Sequence, residues 1–342
     1  MIEHLKSGLS ISTHVGCMMG CKYCVLSKIR DFSDGPIMVK NPTELVEELY
    51  NGRSLFCDGI TPLMINNRTD PFLPMVKKYT IELLELLHKR HIRSPIVIIS
   101  KFAPSVELQK FFNELSIVYI YSYSNIKDDF NYIRLKDDLE LIKKIVPPSS
   151  RFHYFRPIIE GINDNVDGMA YIIKNFSDAN FRGSIINGLR VTSNNVGLLK
   201  ANQTYDTQHK ILDEKLFEKL VENINDKEIG YQLFRHTSCA ISTFSNRRNN
   251  LLYFGKRGHC SKWCENYAMC SKERKNVDID IILNDMRKKR SSSLNISYMN
   301  DELIVLSAIT QEEIAYIKNV YGLKVFANNI ILSPSEREIL KG

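Results

Sequence analysis

The feature that most limits the fold of this chain is a strand pattern that alternates with a helix pattern six times between residues 8 and 225. Each strand pattern is a short apolar or alternating run, and each helix pattern repeats apolar residues every three or four positions. Parallel strands need such crossover helices, and the crossovers are right-handed. The alternation therefore predicts an α/β fold with a parallel sheet that curls into a full or partial barrel.

The limits of these elements follow from the same patterns. The predicted strands lie at residues 8–13, 62–66, 95–100, 117–122, 152–159 and 184–191. The first helix should begin at Asn41 as an N-cap, with Glu44 closing a capping box. The later helices are predicted at residues 74–91, 104–115, 135–146, 166–176 and 210–225.

Three cysteines, Cys17, Cys21 and Cys24, follow the first predicted strand with the spacing C-x3-C-x2-C, and Gly16 and Gly20 lie among them. The glycines let the backbone turn tightly enough to direct three side chains to one point. Three thiolates can ligate three irons of a [4Fe-4S] cluster and leave the fourth iron without a protein ligand. An open metal position is where a substrate or cofactor can bind and react.

The alternative to a cluster loop is a zinc site or three structural cysteines. Zinc usually takes four protein ligands in a structural site, and only His14 could supply the fourth one here. The spacing alone therefore favours an iron-sulfur cluster but does not identify the reaction.

With Tyr23 directly before the last cysteine, the loop resembles the signature of the radical SAM superfamily. The resemblance implies a partial (βα)6 barrel of TIM type, with a [4Fe-4S] cluster and S-adenosylmethionine as cofactors. It makes Cys17, Cys21 and Cys24 the catalytic cluster ligands. One electron, from a donor such as flavodoxin or ferredoxin, would cleave the sulfonium to a 5'-deoxyadenosyl radical.

Polar residues follow the predicted strands, at the edge of the sheet where reactive groups usually lie. Asn67 and Asp70 follow the second strand, where the superfamily has a Gly-Gly-Glu-type loop that contacts the methionine amino group. The glycines are missing here, and the run Thr69-Asp70-Pro71-Phe72 instead resembles the loop of spore photoproduct lyase relatives. The alternative for each residue is an Asn/Asp turn.

Further candidates for cofactor contact lie at the later strand ends. Residues 156–164 resemble the superfamily's G-x-I-x-G-x-x-E motif at the adenine pocket, with Pro157 and Asp164 replacing its first Gly and last Glu. Arg156 is a candidate partner of the methionine carboxylate, or else of a rim salt bridge. Hydroxyl groups after the fourth strand could bond a ribose. The candidates are Tyr23, Ser100, Lys101, Ser122, Ser124, Arg156 and Ile159.

A second group of cysteines lies beyond the barrel pattern, with the spacing C-x20-C-x3-C-x5-C: Cys239, Cys260, Cys264 and Cys270. Four thiolates form a closed ligand set, so this group predicts a second [4Fe-4S] cluster, with zinc or unliganded cysteines as alternatives. The order Cys239-x15-Gly255-x4-Cys260 resembles the opening of the SPASM and twitch auxiliary-cluster modules. Cys57 has no partner in either pattern and is expected to be a buried small hydrophobe.

The formal charge of +7 is concentrated in one segment, because residues 231–275 carry nine Lys and Arg against two Glu. These basic residues could balance a thiolate cluster or bind an anionic partner such as RNA, DNA or a phosphorylated metabolite. Tyr253, Phe254, Trp263 and Tyr267 lie among them, as stacking on bases would require. Aromatic residues of this kind also wrap metal sites.

Three regions are expected: a radical SAM partial barrel at 1–230, a cysteine-rich cluster segment at 231–275 and a small α/β domain at 276–342. In the last region, a helix is predicted at 279–286, a linker at 287–293 and two strands on either side of the turn at 299–301. A capping box from Thr310 should open a helix that Gly322 closes, followed by a strand at 323–332 and a short helix from Ser333.

Composition places the chain among ordinary globular proteins, with 44% apolar and 25% charged residues. The first residues contain no apolar leader, and no stretch is long enough to span a bilayer. A cytoplasmic location without a membrane partner is therefore expected. Eight cysteines in that compartment favour metal or redox chemistry over disulfides.

The sequence thus predicts an oxygen-sensitive radical SAM enzyme that abstracts hydrogen from its substrate. The substrate is a peptide or protein side chain if the SPASM/twitch likeness holds, or a nucleic acid or nucleotide if the basic segment and the photoproduct-lyase likeness hold. Tyr121, Tyr123 and Cys239 are conceivable hydrogen donors that could equally be structural. The remaining class is a non-catalytic iron-sulfur or zinc protein that binds nucleic acid.

Overall fold

The computed structural model describes residues 1–5, 7–26, 35–51, 55–127, 129–199, 210–211, 214–226, 231–249, 264–271, 278–289, 294–299, 302–305, 307–327 and 329–331. Strands β1 to β11 lie at Ile2–Leu5, Gly8–Ile11, His14–Val15, Ile37–Met38, Leu63–Ile65, Ile96–Ser100, Ile117–Ser122, Arg151–Ile158, Gly183–Arg190, Lys210–Ile211 and Gln232–Phe234. Helices α1 to α7 lie at Pro42–Tyr50, Pro74–Lys89, Gln109–Glu114, Leu135–Ile145, Val166–Asp178, Glu214–Asp226 and Thr237–Ser245.

The central sheet is mostly parallel and follows the chain. Its neighbours run in the order β1-β2-β5-β6-β7-β8-β9-β10, with β11 also paired to β9. The six strands β2, β5, β6, β7, β8 and β9 are parallel, and a helix lies between each pair of successive strands. β1 is antiparallel to β2 at one end of this order. This arrangement resembles a partial (βα)6 barrel and confirms the predicted mixed α/β fold.

The sheet packs on both faces. One face carries the largest apolar cluster together with the helices, including Ile11, Ile98 and Tyr119. On the opposite face, Val118, Ile120 and other strand residues pack against α7, which inserts Cys239, Ala240 and Ile241. We call this opposite face the inner face. The part of the inner face that lies under α7 is therefore filled by side chains, as the interiors of small barrels are.

The carboxyl-terminal part of the inner face is more open than the part under α7. Ile99, Ser122 and Arg156 are half-buried there, whereas Val97 and Ile120, farther from the strand ends, are fully buried. Ligands of parallel α/β sheets bind at this end of the strands. The packing of α7 thus leaves room at the end of the sheet that also carries the loop of Cys17, Cys21 and Cys24.

Most predicted boundaries agree with the structure within a few residues. Asn41 caps α1 by accepting a hydrogen bond from the Glu44 amide at 2.9 Å, which is one half of the predicted capping box. The prediction of helix from residue 210 was wrong, because Lys210 and Ile211 pair with Arg190 and Leu189 as strand β10 and the helix begins at Glu214. Pairing with an open strand edge outweighed the helical pattern there.

The C-terminal region contains helices α8 to α10 at Tyr267–Ser271, Ile279–Lys289 and Gln311–Tyr321, and strands β12 to β16 at Ile296–Met299, Glu302–Val305, Ile309–Thr310, Lys324–Ala327 and Ile330–Ile331. The capping box is confirmed. The Glu313 amide donates to Thr310 Oγ1 at 3.2 Å, and the Thr310 amide donates to Glu313 Oε2 at 2.7 Å. Gly322 closes α10 with φ of 68°.

Two C-terminal predictions were wrong. The strand expected at 323–332 is two strands, because β15 pairs with β13 whereas β16 pairs with β14. The linker expected from residue 287 begins inside a helix, since α9 continues to Lys289 and buries Met286. The short helix expected from Ser333 lies outside the described residues.

The C-terminal region packs on the segment before β5. Leu55 belongs to its apolar cluster, partly buried Cys57 packs against that cluster, and Lys289 donates a hydrogen bond to the Phe56 carbonyl at 3.2 Å. This position agrees with the expected apolar role of Cys57. Among the helices in the described ranges, none is both long and apolar enough to cross a membrane.

Candidate functional site

The loop at residues 16–24, which we call the cysteine loop, is held at the carboxyl end of the sheet. The Gly16 amide donates to the Arg68 carbonyl at 3.0 Å, and the Thr13 amide donates to Asn66 Oδ1 at 2.8 Å. Gly16 and Gly20 have φ of 102° and 62°, conformations that favour glycine. The loop after β5 therefore sets the direction in which the cysteine loop leaves β2.

The three thiols of the cysteine loop lie close to one another. Cys17, Cys21 and Cys24 are all half-buried, and each thiol is within electrostatic range of the other two. Burial raises the pKa of Cys17 to about 11 and also raises the pKa of Cys21. The thiols of Cys17 and Cys21 are therefore protonated at neutral pH, and metal binding must displace their protons.

The donor set of the cysteine loop fits a cluster better than zinc. His14, the only other proposed ligand, bonds Thr13 Oγ1 through Nδ1 at 2.9 Å and packs against the Tyr79 ring at 4.8 Å. Across the described ranges, no three His, Cys, Asp or Glu side chains are already arranged to hold a metal ion. Three soft sulfurs on one glycine-containing loop match three irons of a [4Fe-4S] cluster and would converge when it is loaded.

Tyr23 lies at the centre of a buried polar group that we call the Tyr23 cluster: Tyr23, Lys101, Ser124 and Asp129. The Tyr23 hydroxyl donates to Asp129 Oδ2 at 2.6 Å and accepts a hydrogen bond from Lys101 Nζ. Lys101 Nζ also lies 2.8 Å from Asp129 Oδ2, and Ser124 Oγ donates to the same oxygen. The cluster connects the cysteine loop to the ends of β6 and β7.

Asp70 connects the ends of β5 and β6. Its carboxylate accepts hydrogen bonds from Ser100 Oγ at 2.7 Å, the Lys101 amide at 2.8 Å and the Phe72 amide at 2.9 Å. Burial raises the pKa of Asp70, and these donors oppose that shift. Asp70 and Ser100, both predicted to contact the cofactor, thus bond each other and position the backbone of Lys101.

The predicted adenine-pocket residue Ile159 lies beside the cysteine loop. It forms an apolar group with Leu189 and Val191, against which the Tyr23 ring packs. The Ile159 amide donates to Asn163 Oδ1 at 2.7 Å, and Asn163 Nδ2 donates to the Ser124 carbonyl at 2.6 Å. The ends of β8 and β7 are therefore joined next to a buried apolar group.

The remaining predicted cofactor residues lie on the open side of this site. Arg156 Nη1 donates to the Tyr154 hydroxyl at 3.2 Å, and its guanidinium lies 5.4 Å from the centroid of that ring. Within the described part of the chain, Arg156 has no ion-pair partner, so the rim salt bridge considered for it is not found there. Ser122 and Asn67 are both half-buried.

Sequence reasoning missed several residues that organise this site. Asp129 completes the Tyr23 cluster, and Asn131 Nδ2 bonds the Ser122 carbonyl at 2.9 Å and the Tyr121 hydroxyl at 3.2 Å. Asn195 Nδ2 donates to the Tyr23 carbonyl at 3.3 Å. The polar residues after β7 were a usable signal for Asp129 and Asn131, whereas nothing in the sequence placed Asn195 near Tyr23.

The conceivable hydrogen donors have structural partners. Tyr121 donates to Asp138 at 2.6 Å and is fully buried on the helix-covered face. Tyr123 belongs to the same apolar cluster. Cys239 lies in the first turn of α7 and accepts a weak hydrogen bond from Asn249 Nδ2 at 3.7 Å.

The described cysteines of the second group lie in α7 and in the segment that contacts it. Cys264 and Cys270 are within electrostatic range of each other, and Cys270 is buried. Asn266, between them, donates to Thr243 one helical turn after Cys239. Cys260 lies outside the described residues, as do Tyr253, Phe254 and Trp263, so the predicted four-thiolate set stays a prediction.

Comparison with solved structures identifies the fold. Spore photoproduct lyase with bound AdoMet and dinucleoside spore photoproduct aligns with a TM-score of 0.51 at 12% identity, over 68% of this chain and 78% of that chain. Spore photoproduct lyase complexed with dinucleoside spore photoproduct aligns with a TM-score of 0.50 over the same shares at the same identity. No protein-family model matches the chain, and no curated protein matches it in sequence.

The likeness in fold agrees with the resemblance carried by the cysteine loop and by the Thr69-Asp70-Pro71-Phe72 run. These structures, at 12% identity, show the fold of the chain. The α/β architecture expected from the sequence is therefore that of spore photoproduct lyase.

Proposed function

We propose that this chain is a radical SAM enzyme that abstracts hydrogen from its substrate. The observation that carries the proposal is the cysteine loop, whose three thiols lie within electrostatic range of one another, at the carboxyl end of a sheet that has the fold of spore photoproduct lyase. In parallel α/β sheets this is the end where ligands and reactive groups lie. Neither the loop nor the fold alone would support the proposal as strongly.

The residues that would hold the cluster are Cys17, Cys21 and Cys24. When bound, the [4Fe-4S] cluster and S-adenosylmethionine would supply one-electron cleavage to a 5'-deoxyadenosyl radical. The chain's own contribution is to orient the cysteine loop through the Tyr23 cluster and through the Gly16 to Arg68 hydrogen bond. An oriented loop would fix the distance between the inner face and the iron that has no protein ligand. Reaction in a defined geometry depends on that distance.

The proposed cofactor contacts divide between polar and apolar walls. Ile159, Leu189 and Val191 form the buried apolar group beside Tyr23 next to which the adenine ring is proposed to bind. Arg156 is placed on the open part of the inner face with a guanidinium suited to the methionine carboxylate. Ser122 and Ser124 at the end of β7 remain the proposed ribose contacts, and Asn67 the proposed contact after β5.

The direct test is anaerobic reconstitution with iron and sulfide, followed by dithionite and S-adenosylmethionine. We expect 5'-deoxyadenosine to form, with about four irons bound by the cysteine loop. A reconstituted chain that binds a cluster but yields no 5'-deoxyadenosine would favour the non-catalytic iron-sulfur protein. A chain that takes up zinc and no iron would favour the structural-metal alternative.

The substrate is proposed as one of two classes. A peptide or protein side chain follows from the SPASM/twitch likeness of the second cysteine group, whereas a nucleic acid or nucleotide is favoured by the solved structures that hold a dinucleoside spore photoproduct. Salt-dependent retention on immobilised DNA or RNA would support the second class. If the chain is not retained even at low salt, and deuterium is transferred from a labelled peptide to 5'-deoxyadenosine, the peptide or protein class would be supported.

The remaining proposals concern partners and a second cluster. Cys239, Cys260, Cys264 and Cys270 are proposed to bind a second [4Fe-4S] cluster, with zinc as the alternative, and the spacing together with the proximity of Cys264 to Cys270 supports a shared metal. A flavodoxin or ferredoxin is the proposed electron donor. A cytoplasmic location, where thiols stay reduced, suits such chemistry.

A further inference from the structure

The ion pair between Lys101 and Asp129 is unusual for its burial. Lys101 Nζ lies 2.8 Å from Asp129 Oδ2, and the two side chains are only 11% and 5% exposed. Most ion pairs among the described residues are far more exposed; the helix pair of Lys174 and Asp178, for example, is 58% and 61% exposed. Two buried charges interact strongly and are poorly screened by salt, so each must influence the groups nearest to it.

This pair acts on Cys21, one of the three cysteines of the loop. The Lys101 ammonium and the Asp129 carboxylate both act on the Cys21 thiol, in opposite directions. Tyr23, two residues beyond Cys21, bonds both members of the pair. The pair therefore lies beside one of the three sulfurs and is attached to the loop that carries them.

We infer that Lys101 and Asp129 are positioning residues whose opposed charges set the reduction potential of the cluster held by the cysteine loop. The inference rests on the proposed function and extends it to the regulation of that site. A positive charge near a cluster stabilises its more negative, reduced form, and a carboxylate has the reverse effect; net charge and hydrogen bonding are known determinants of such potentials. With both charges present, their effects largely cancel.

Removal of one charge leaves the other buried and uncompensated. Without Lys101, the Asp129 carboxylate keeps the hydrogen bonds that the Tyr23 and Ser124 hydroxyls donate to it. Lys101→Met should therefore lower the reduction potential, and Asp129→Asn should raise it. The double variant, which is again neutral, should return close to the wild-type potential, because the two opposite shifts add to nearly zero.

The experiment is a redox titration of the reconstituted full-length chain without S-adenosylmethionine or substrate, followed by visible absorption and electron paramagnetic resonance. Lys101→Arg should keep the wild-type potential, since it retains the charge. Lys174→Met and Asp178→Asn, in the exposed pair, are the matched controls and should leave it unchanged. These variants separate the charge of the pair from its packing.

Opposite shifts of the two single variants would confirm the inference. Equal shifts in the same direction, or no shift in either variant at unchanged iron content, would overturn it, because a merely structural pair would affect both variants alike. If one single variant binds no cluster, the neutral double variant decides: a potential far from the wild-type value overturns the inference. Failure of the wild-type chain to bind any cluster would instead overturn the proposed function itself.

Discussion

The two cysteine-bearing regions of this chain hold their sulfurs in different ways. Cys17, Cys21 and Cys24 lie half-buried on a loop fastened by hydrogen bonds to residues at several strand ends. Cys239, in contrast, lies in helix α7 within the apolar packing of the inner face, and Cys270 is buried in the short helix α8. Polar contacts around the loop therefore orient the first three cysteines, whereas the helices α7 and α8 orient Cys239 and Cys270.

This difference indicates which region can adapt to a metal. A loop can bring its sulfurs together at little cost when metal binds, because its backbone is fixed mainly at its ends. A cysteine inside a packed helix can move only with the helix, and interior packing tolerates little movement. We therefore expect the loop to determine activity and the second set to have smaller, separable effects.

The largest expected effect is that of removing a loop sulfur. Cys21→Ala leaves two thiols, so we expect loss of about four irons per chain and of all measurable 5'-deoxyadenosine formation. Iron analysis and product chromatography measure both. Cys57→Ala is the matched control, since Cys57 is also a partly buried cysteine but packs against the C-terminal cluster. Retention of iron and activity in Cys21→Ala would remove the distinction between the two regions.

The sequence predicted the loop well and its surroundings less well. Spacing identified Cys17, Cys21 and Cys24, and hydrophobic periodicity placed six parallel strands, β2 and β5 to β9, because both signals are local in the chain. The parallel strand β11 was not predicted. The contact of Asp129 with Lys101 joins residues far apart in sequence, and no local pattern encodes it. The failure at Lys210 has the same cause, since its strand pairing with Arg190 is a tertiary contact.

The second largest effect should come from Asp70, which fixes the strand ends beneath the cysteine loop. Asp70→Ala leaves the Ser100 hydroxyl and two backbone amides without their acceptor, so we expect a loss of roughly 3–5 kcal/mol in the free energy of unfolding. Urea denaturation of the metal-free chain measures it. A loss well below 1 kcal/mol would show that the loop is not held by its polar surroundings.

Asp58 provides the matched control for Asp70. It also accepts hydrogen bonds from backbone amides, those of Gly59, Arg93 and Ser94, but its side chain is 21% exposed and it lies before β5 rather than after it. Water can replace part of these contacts, so Asp58→Ala should cost roughly 1–2 kcal/mol. It should leave iron binding unchanged, whereas Asp70→Ala should lower it.

A smaller effect is expected in the second cysteine region. If the proposed second cluster is present, Cys270→Ala should lower the iron content from about eight to about four per chain while 5'-deoxyadenosine still forms. Loss of a buried thiol should cost about 1–2 kcal/mol in addition. An unchanged iron content would mean that Cys270 serves packing alone, which would sharpen the contrast between the two regions.

The smallest effect should come from the ion pair that joins the second region to the sheet. Arg182 Nη2 lies 3.3 Å from Glu265 Oε1, and the side chains are 34% and 44% exposed. Solvent screens such a pair, so a double-mutant cycle of Arg182→Ala and Glu265→Ala should give a coupling of about 0.5 kcal/mol or less. Asn266→Ala, which removes the adjacent buried bond to Thr243, should cost more, about 1–2 kcal/mol. A coupling energy between Arg182 and Glu265 that exceeds the cost of Asn266→Ala would mean that surface charge, and not buried packing, holds the second cysteine region on the sheet.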